Sequence, residues 1–251
     1  MRIRFLGELG DFLAPAQRGA TRHEALARRA NIKDIIEACG VPHTEIGAIR
    51  IDGCVDNGST VLDIGSEADV VVAPSRPGCR SRLREAPPDP PRFVLDTHLG
   101  RLARYLRLAG FDTRYSNDCD DATLAAIADE QRRILLTRDR GLLKRARVVH
   151  GRFVRADDPH VQLDDIAIHF LLGARMAPFS RCSDCNTPLA AVDKTDIVHR
   201  LAPLTRRYYE RFALCPACDK LFWSGSHTRD VRAWLDRLAR LGSADRIVKR
   251  D

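Results

Sequence analysis

The sequence predicts an α/β protein in three parts: a small N-terminal β-grasp domain, a parallel sheet flanked by helices, and a compact C-terminal module organised by cysteines. Three observations carry this. Short apolar runs alternate with helical patterns through the middle of the chain, one proline-dense stretch interrupts it, and two CxxC pairs stand 29 residues apart near its end. The 251 residues are 44% apolar and 30% charged, which excludes wholesale disorder. No run of about 18 uncharged apolar residues is present to cross a membrane. Glu8 and Asp11 interrupt the apolar start, so it reads as a folded strand rather than a secretory signal. The expectation is a reducing, cytoplasmic setting, in which eight cysteines serve as metal ligands or free thiols.

From the amino end, RIRFLGEL (2–9) reads as a strand, IKDIIEACG (32–40) as a short helix stopped by Gly40, and AIRIDG (48–53) and ADVVVAP (68–74) as further strands. A leading strand and a lone helix before more strands suit a β-grasp domain over residues 1–76. The stretch PSRPGCRSRLREAPPDPP (74–91) holds six of the 13 prolines. Proline fixes φ and removes a donor, so residues 77–91 read as a semi-rigid linker with a basic centre at Arg80, Arg82 and Arg84. Residues 92–177 then form the sheet-and-helix domain and residues 178–251 the cysteine module.

The middle domain repeats one device. FVLD (93–96) is an apolar run ending in Asp96, ILLTRD (134–139) is another ending at Asp139, and GRFVRADDP (151–159) places Asp157 or Asp158 after a third. The carboxyl ends of parallel strands line up on one edge, where ligands bind, so acids distant in sequence converge there. A further acid lies in SNDCDDATLAAIADEQ (116–131), among Asp118, Asp120 and Asp121. There Leu124, Ile127 and Ala128 recur at helical spacing and Asp121 stands at the N-cap position. Clustered carboxylates repel unless a cation sits between them, and hard Mg²⁺ or Mn²⁺ prefer oxygen ligands.

The charge distribution indicates a polyanionic partner. The formal net charge of +7 is not uniform: it is −1 over residues 1–80, +3 over 81–180 and +5 over 181–251. In HLGRLARYLRLAG (98–110), Leu99, Leu102, Ala103 and Leu106 form an apolar face. Arg101, Arg104 and Arg107 fall opposite it as a cationic one. Arg101 and Arg104 are candidates for phosphate contact, and Thr137 and Arg138 beside Asp139 for contacting a phosphate or orienting a metal-bound water.

Cys182 and Cys185, with Cys215 and Cys218, match a four-thiolate zinc ribbon with a long loop. A closed thiolate shell makes that zinc structural, the alternatives being redox dithiols or an iron–sulfur cluster. The loop contains TRRYYERF (205–212), where Arg207 and Tyr208 exemplify cations interleaved with rings, a pattern suited to single-stranded nucleic acid. Trp223 and His227 follow in FWSGSHTRD.

These residues carry a resemblance. FVLDTHLGRLARYLRLAGFDT, DDATLAAIAD and RRILLTRDRGLL, continuing through QLDD, RCSDCNTPL and CPACDKLFWSGSH, resemble the Mut-seven C-terminal RNase family, a branch of the PIN-like nucleases. NIKDIIEACGVPHTEIGAIRIDG (31–53) resembles the ubiquitin-like domain found ahead of such ribonucleases. The resemblance implies a PIN-like domain and a metal-dependent ribonuclease. Asp96, Asp121 and Asp139 match its acidic positions for Mg²⁺ or Mn²⁺, Asp157 or Asp158 stands as a further acid, and RNA is the substrate. The glutamate that many PIN-like nucleases carry in the middle position is replaced here by aspartate. Because the N-terminal domain runs into a linker without a Gly-Gly tail, it is expected to dock a protein partner rather than carry sulfur. The competing reading is a non-catalytic RNA-binding adaptor that uses the ribbon and its basic-aromatic loop.

Overall fold

The computed structural model describes residues 1–78, 81–223 and 226–242, apart from the side chains of residues 226–230. Cys79 and Arg80 of the linker and the side chain of His227 therefore lie outside the described residues. The chain forms two compact units. One comprises residues 1–89, 94–98 and 116–155, and the other residues 90–93, 99–115 and 156 onward.

The first unit begins with strands β1 (Arg2–Phe5), β2 (Thr21–His23), β4 (Ile46–Ile51), β5 (Cys54–Asp56) and β7 (Asp69–Pro74). They form a sheet of order β2-β1-β7-β4-β5, with β1 and β7 parallel and the other neighbours antiparallel. Two short strands, β3 (Ala30–Asn31) and β6 (Val61–Leu62), pair separately. Helix α1 (Ile32–Ala38) is capped by the Asn31 side chain, which accepts from Lys33 N at 2.8 Å. Its Ile32, Ile35 and Ile36 join Ile3, Phe5, Ile49, Val70 and Val72 in one core, the β-grasp arrangement expected. Gly40 ends the helix at φ +111°, where a side chain would crowd the Phe12 carbonyl. The first strand is shorter than the expected 2–9. Gly7 turns the backbone at φ +54°, and residues 7–12 form a 3₁₀ turn that buries Leu9 and Phe12.

A second sheet contains β8 (Phe93–Leu95), β9 (Thr113–Tyr115), β10 (Ile134–Thr137) and β11 (Gly151–Phe153), in the order β11-β10-β8-β9. β10 and β11 run parallel, and every residue of β8 and β10 is buried. Helix α3 (Asp121–Glu130) places Leu124, Ala125 and Ala128 in a core shared with Val94 and Leu135. Its N-cap is Asp120, not Asp121. The extended φ/ψ that a cap requires occurs at Asp120, whose carboxylate accepts from Thr123 N at 2.7 Å. Helix α4 (Arg140–Leu143) follows β10 directly.

Within this unit the β-grasp segment grips β11 and α4. Glu45, 1% exposed, receives the Phe153 N–H at 2.6 Å and the guanidinium groups of Arg152 and Arg155, each at 3.2 Å. Arg152 also holds Glu8 through two bonds, at 2.7 and 3.1 Å. Burial raises the Glu45 carboxyl against the pull of both arginines. Burial acts on Glu8 in the same sense, but the Arg152 bonds and the two cationic charges outweigh it and hold Glu8 below its ordinary value. Arg140 donates to the Phe12 and Asp11 carbonyls and lies 5.3 Å over the Phe12 ring. Lys144 Nζ donates to Glu37 O at 2.7 Å. The stretch read as a linker is pinned as well. Arg84 donates to the His43 and Thr44 carbonyls at 2.9 and 2.8 Å, and Leu83 packs on the core.

The second unit packs α2 (Gly100–Leu108), α5 (Pro159–His169) and α8 (Ser226–Leu241). Phe93 stands edge-on to Phe111 and Phe170 at 5.9 and 6.0 Å. Leu102, Ala103 and Leu106 are buried as their spacing predicts. Arg107 departs from the expected exposed cationic face. It is 6% exposed because its guanidinium is consumed by carbonyls, Thr113 O at 3.0 Å, Ser183 O at 3.3 Å and Asp184 O at 2.6 Å. The module after it is an antiparallel sheet of β12 (Ala190–Val192), β13 (Phe212–Leu214) and β14 (Leu221–Trp223), with short helices α6 (Lys194–Ile197) and α7 (Pro203–Tyr208) inserted before β13. The rings of TRRYYERF do not share one face. Phe212 is buried with Ile197 and Leu201, Tyr209 packs against that cluster, and Tyr208 is 65% exposed.

Truncating Arg152 removes the more buried of the two cations that pair with both glutamates. Arg152→Ala is expected to cost about 3 kcal/mol, read as a lower urea midpoint of the full chain. Glu8→Gln, at the wetter end of the network, is expected to cost about 1 kcal/mol. A wild-type midpoint for Arg152→Ala would remove this network from the fold's support.

Candidate active site

Asp96 is the first residue beyond the buried strand β8, and Asp139 lies two residues beyond β10, so both stand at the carboxyl edge of the second sheet. They meet at one hydroxyl. Thr137 is fully buried, and its Oγ1 donates to Asp96 Oδ2 at 2.7 Å while accepting the Asp139 N–H at 2.9 Å. The single hydroxyl proton goes to Asp96 and a lone pair serves Asp139. Asp96 Oδ1 is held by the Thr97 N–H at 2.6 Å and by Thr97 Oγ1 at 3.2 Å. Asp139 caps α4 through Oδ1, which accepts from Gly141 N at 2.6 Å and Leu142 N at 3.3 Å. Asp96 is half-buried and Asp139 exposed, so a dry, bonded base carries two oriented carboxylates toward solvent.

The remaining acids are placed differently. Asp121 opens α3 and pairs with Arg145 at 3.6 Å, both side chains 45% exposed. Asp158 caps α5 in the other unit. The Val161 and His160 N–H groups bond to its carboxylate and hold it below the usual carboxylate range. Asp157, also exposed, precedes it. Among the described residues, the acids form no set of three with ligand atoms within 4.8 Å of one another. The edge is a pair joined through Thr137. Arg101 and Arg104 are exposed on α2, and Arg138 is exposed between Thr137 and Asp139. The sequence offers Thr137 for phosphate contact. Its hydroxyl is instead committed to the two aspartates.

The cysteines do converge. Cys182, Cys185, Cys215 and Cys218 bring their sulfurs within 4.8 Å of one another. Sγ separations are 3.6 Å for Cys182–Cys218, 3.3 Å for Cys185–Cys215 and 3.8 Å for Cys185–Cys218. A tetrahedron with metal–sulfur bonds of about 2.3 Å has edges of about 3.8 Å, so this donor set fits one thiophilic ion. Without a cation the thiols split. The Thr187 hydroxyl lowers Cys185 to about 6, whereas bonding to Cys215 and burial push Cys218 up to about 12. Arg107 braces the first knuckle by holding the carbonyls of Ser183 and Asp184, and Asn186 adds bonds to Thr113 N at 2.9 Å and Asp112 at 2.8 Å. A cationic side chain spaced like a surface residue gives no sign of this role. Similarly, nothing in the local patterns of Glu45 and Arg152 marks them as partners 107 residues apart.

No curated protein and no solved structure matches this chain. Two family models do. Residues 91–235 match the Mut7-C RNAse domain and residues 1–76 match Mut7-C ubiquitin. The aspartate edge and the cysteine centre both fall inside the first match, and the β-grasp sheet fills the second. The chain belongs to the Mut7-C RNAse domain family, with the Mut7-C ubiquitin-like domain ahead of it.

Proposed function

We propose that this protein is a metal-dependent ribonuclease that hydrolyses RNA phosphodiester bonds at the edge carrying Asp96 and Asp139. The observation that carries the reading is the meeting of these two aspartates at the buried Thr137 hydroxyl, in a chain of the Mut7-C RNAse domain family. The donor chemistry fits a hard divalent ion. Mg²⁺ commonly binds through one or two carboxylates and keeps several waters, which suits a pair better than a closed cage. Asp96 and Asp139 would hold Mg²⁺ or Mn²⁺, with Asp121, Asp157 and Asp158 as further acids of the same proposal. When bound, such an ion supplies Lewis acidity toward a phosphoryl oxygen and neutralises developing charge.

The chain's own residues do the rest. Thr97 and Thr137 orient both oxygens of Asp96, and the α4 amino end orients Asp139. Arg101, Arg104 and Arg138 are proposed to contact backbone phosphates. The four cysteines would hold structural Zn²⁺, since four thiolates leave no open position for chemistry. On this module Arg207 lies 5.5 Å over the exposed Tyr208 ring, a cation beside a stacking surface proposed to hold unpaired RNA. In this reading residues 92–177 carry the chemistry, residues 178–251 bind the strand, and residues 1–76 serve as a docking domain for a protein partner, in the cytoplasm. The exposed Arg207–Tyr208 pair also favours a second reading, an RNA-binding adaptor without turnover.

Labelled RNA incubated with the full chain and Mn²⁺ or Mg²⁺ tests both. The Asp96→Asn, Asp139→Asn double variant is expected to lose more than about 100-fold in cleavage, and Thr137→Val about 10- to 100-fold, with RNA binding retained. Tight binding without cleavage by the wild type, or undiminished cleavage by the double variant, overturns the enzyme reading. Purified protein should carry one zinc per chain by elemental analysis. Cys182→Ser and Cys215→Ser should each lose it and lower the melting temperature. Tyr208→Ala is expected to weaken binding of single-stranded RNA by about 1–3 kcal/mol without changing zinc content.

A further inference from the structure

Among the described residues, the first unit contains a cavity of about 450 Å³, lined by the β-grasp segment, by residues 83–85 and by the stretch 128–150. Its carboxylates are paired, Glu85 with Arg132 at 2.9 Å and Asp129 with Arg147 at 3.0 Å, and Arg147 also pairs with Glu130 at 3.0 Å. Two further cations line it. Lys33, half-buried on the first turn of α1, has no ion-pair partner among the described residues, and Arg84 gives two of its N–H groups to the carbonyls of His43 and Thr44. The lining therefore holds three cations, Lys33, Arg84 and Arg132, against two carboxylates, Glu85 and Asp129, with the charge of Glu45 also acting on Arg84, and it includes the apolar Leu83 and Val149. The half-buried His150 ring also lines it. Burial, reinforced by Arg84 and Arg132, lowers this imidazole to about 4, so at neutral pH it keeps one N–H and one lone pair.

The location separates this cavity from the aspartate edge. Arg132 precedes β10 and His150 immediately precedes β11, so these residues stand at the amino ends of the strands, whereas Asp96 and Asp139 stand at the carboxyl ends. A volume in the range of about 300–1,000 Å³ suits a small molecule. An anion-attracting wall beside an apolar one suits a ligand with a phosphate and a flat ring.

We propose that this cavity is a second binding site, for a free nucleoside monophosphate, with its phosphate between Lys33 and Arg84 and its base against Leu83 and Val149. The ligand would bridge the N-terminal domain, the connecting stretch and the second sheet, and so stabilise their association through mass action. This site is independent of any nuclease chemistry.

Calorimetric titration of the full chain with AMP, GMP, CMP and UMP, each alone, tests the proposal. At least one is expected to bind and raise the melting temperature, with inorganic phosphate and the free nucleoside each at least about tenfold weaker. Lys33→Gln should weaken that nucleotide at least about tenfold by removing a charge-assisted contact. His150→Phe should also weaken it, by filling the cavity, while Asp96→Asn leaves affinity unchanged. Absence of binding for all four nucleotides up to ~10 mM overturns the proposal. So does wild-type affinity in both Lys33→Gln and His150→Phe, or an equal loss in Asp96→Asn, which would put the nucleotide at the aspartate edge.

Discussion

The burial of Glu45 is the constraint on which the first unit depends. A carboxylate 1% exposed is costly unless donors surround it, and here two guanidinium groups and one backbone N–H do so. All three donors come from Arg152, Phe153 and Arg155, in or just beyond β11. The N-terminal sheet therefore cannot separate from that strand without breaking all of these bonds together. Arg140, Lys144 and Arg84 add further bonds, each to backbone carbonyls that the partner segment would otherwise expose. The ubiquitin-like domain is thus packed against the other segments of the first unit.

That arrangement bears on the chemistry through chain continuity. Arg140 follows Asp139 directly, and its guanidinium is held by the 11–12 turn of the N-terminal domain. Asp139 is fixed from one side by the start of α4 and from the other by Thr137, whose hydroxyl also aligns Asp96. Thr137, fully buried, thus orients the Asp96 carboxylate and the Asp139 backbone, while the amino end of α4 orients the Asp139 carboxylate. Preorganisation of this kind holds each carboxylate in one orientation without a rotamer search.

The second unit solves a parallel problem with different chemistry. Four sulfurs this close are not stable as four free thiolates, and the tight turns that present them expose carbonyls inward. Arg107 answers the second need by taking the Ser183 and Asp184 carbonyls, which ties the knuckle to α2. A metal ion bound by the four cysteines would answer the first.

Much of this is legible in the amino-acid sequence. The CxxC spacing locates the sulfur cluster, the apolar runs locate β8, β10 and β11, and Asp96 and Asp139 follow the ends of β8 and β10, because these are local consequences of turn geometry and side-chain periodicity. The apolar pattern extends the first strand to residue 9, too far, because it does not register the positive φ that Gly7 supplies. Helical spacing puts Arg107 on an exposed face because it reports which face a residue occupies but not what covers that face. The Thr137 bridge and the Glu45–Arg152 contact lie beyond the sequence, since each joins residues 41 to 107 positions apart through a single hydrogen bond or ion pair. The chain by itself determined which chemical groups were available and on which element each stands. Tertiary packing alone decided which of them meet, because burial selects partners by distance in space and leaves no periodic trace along the chain.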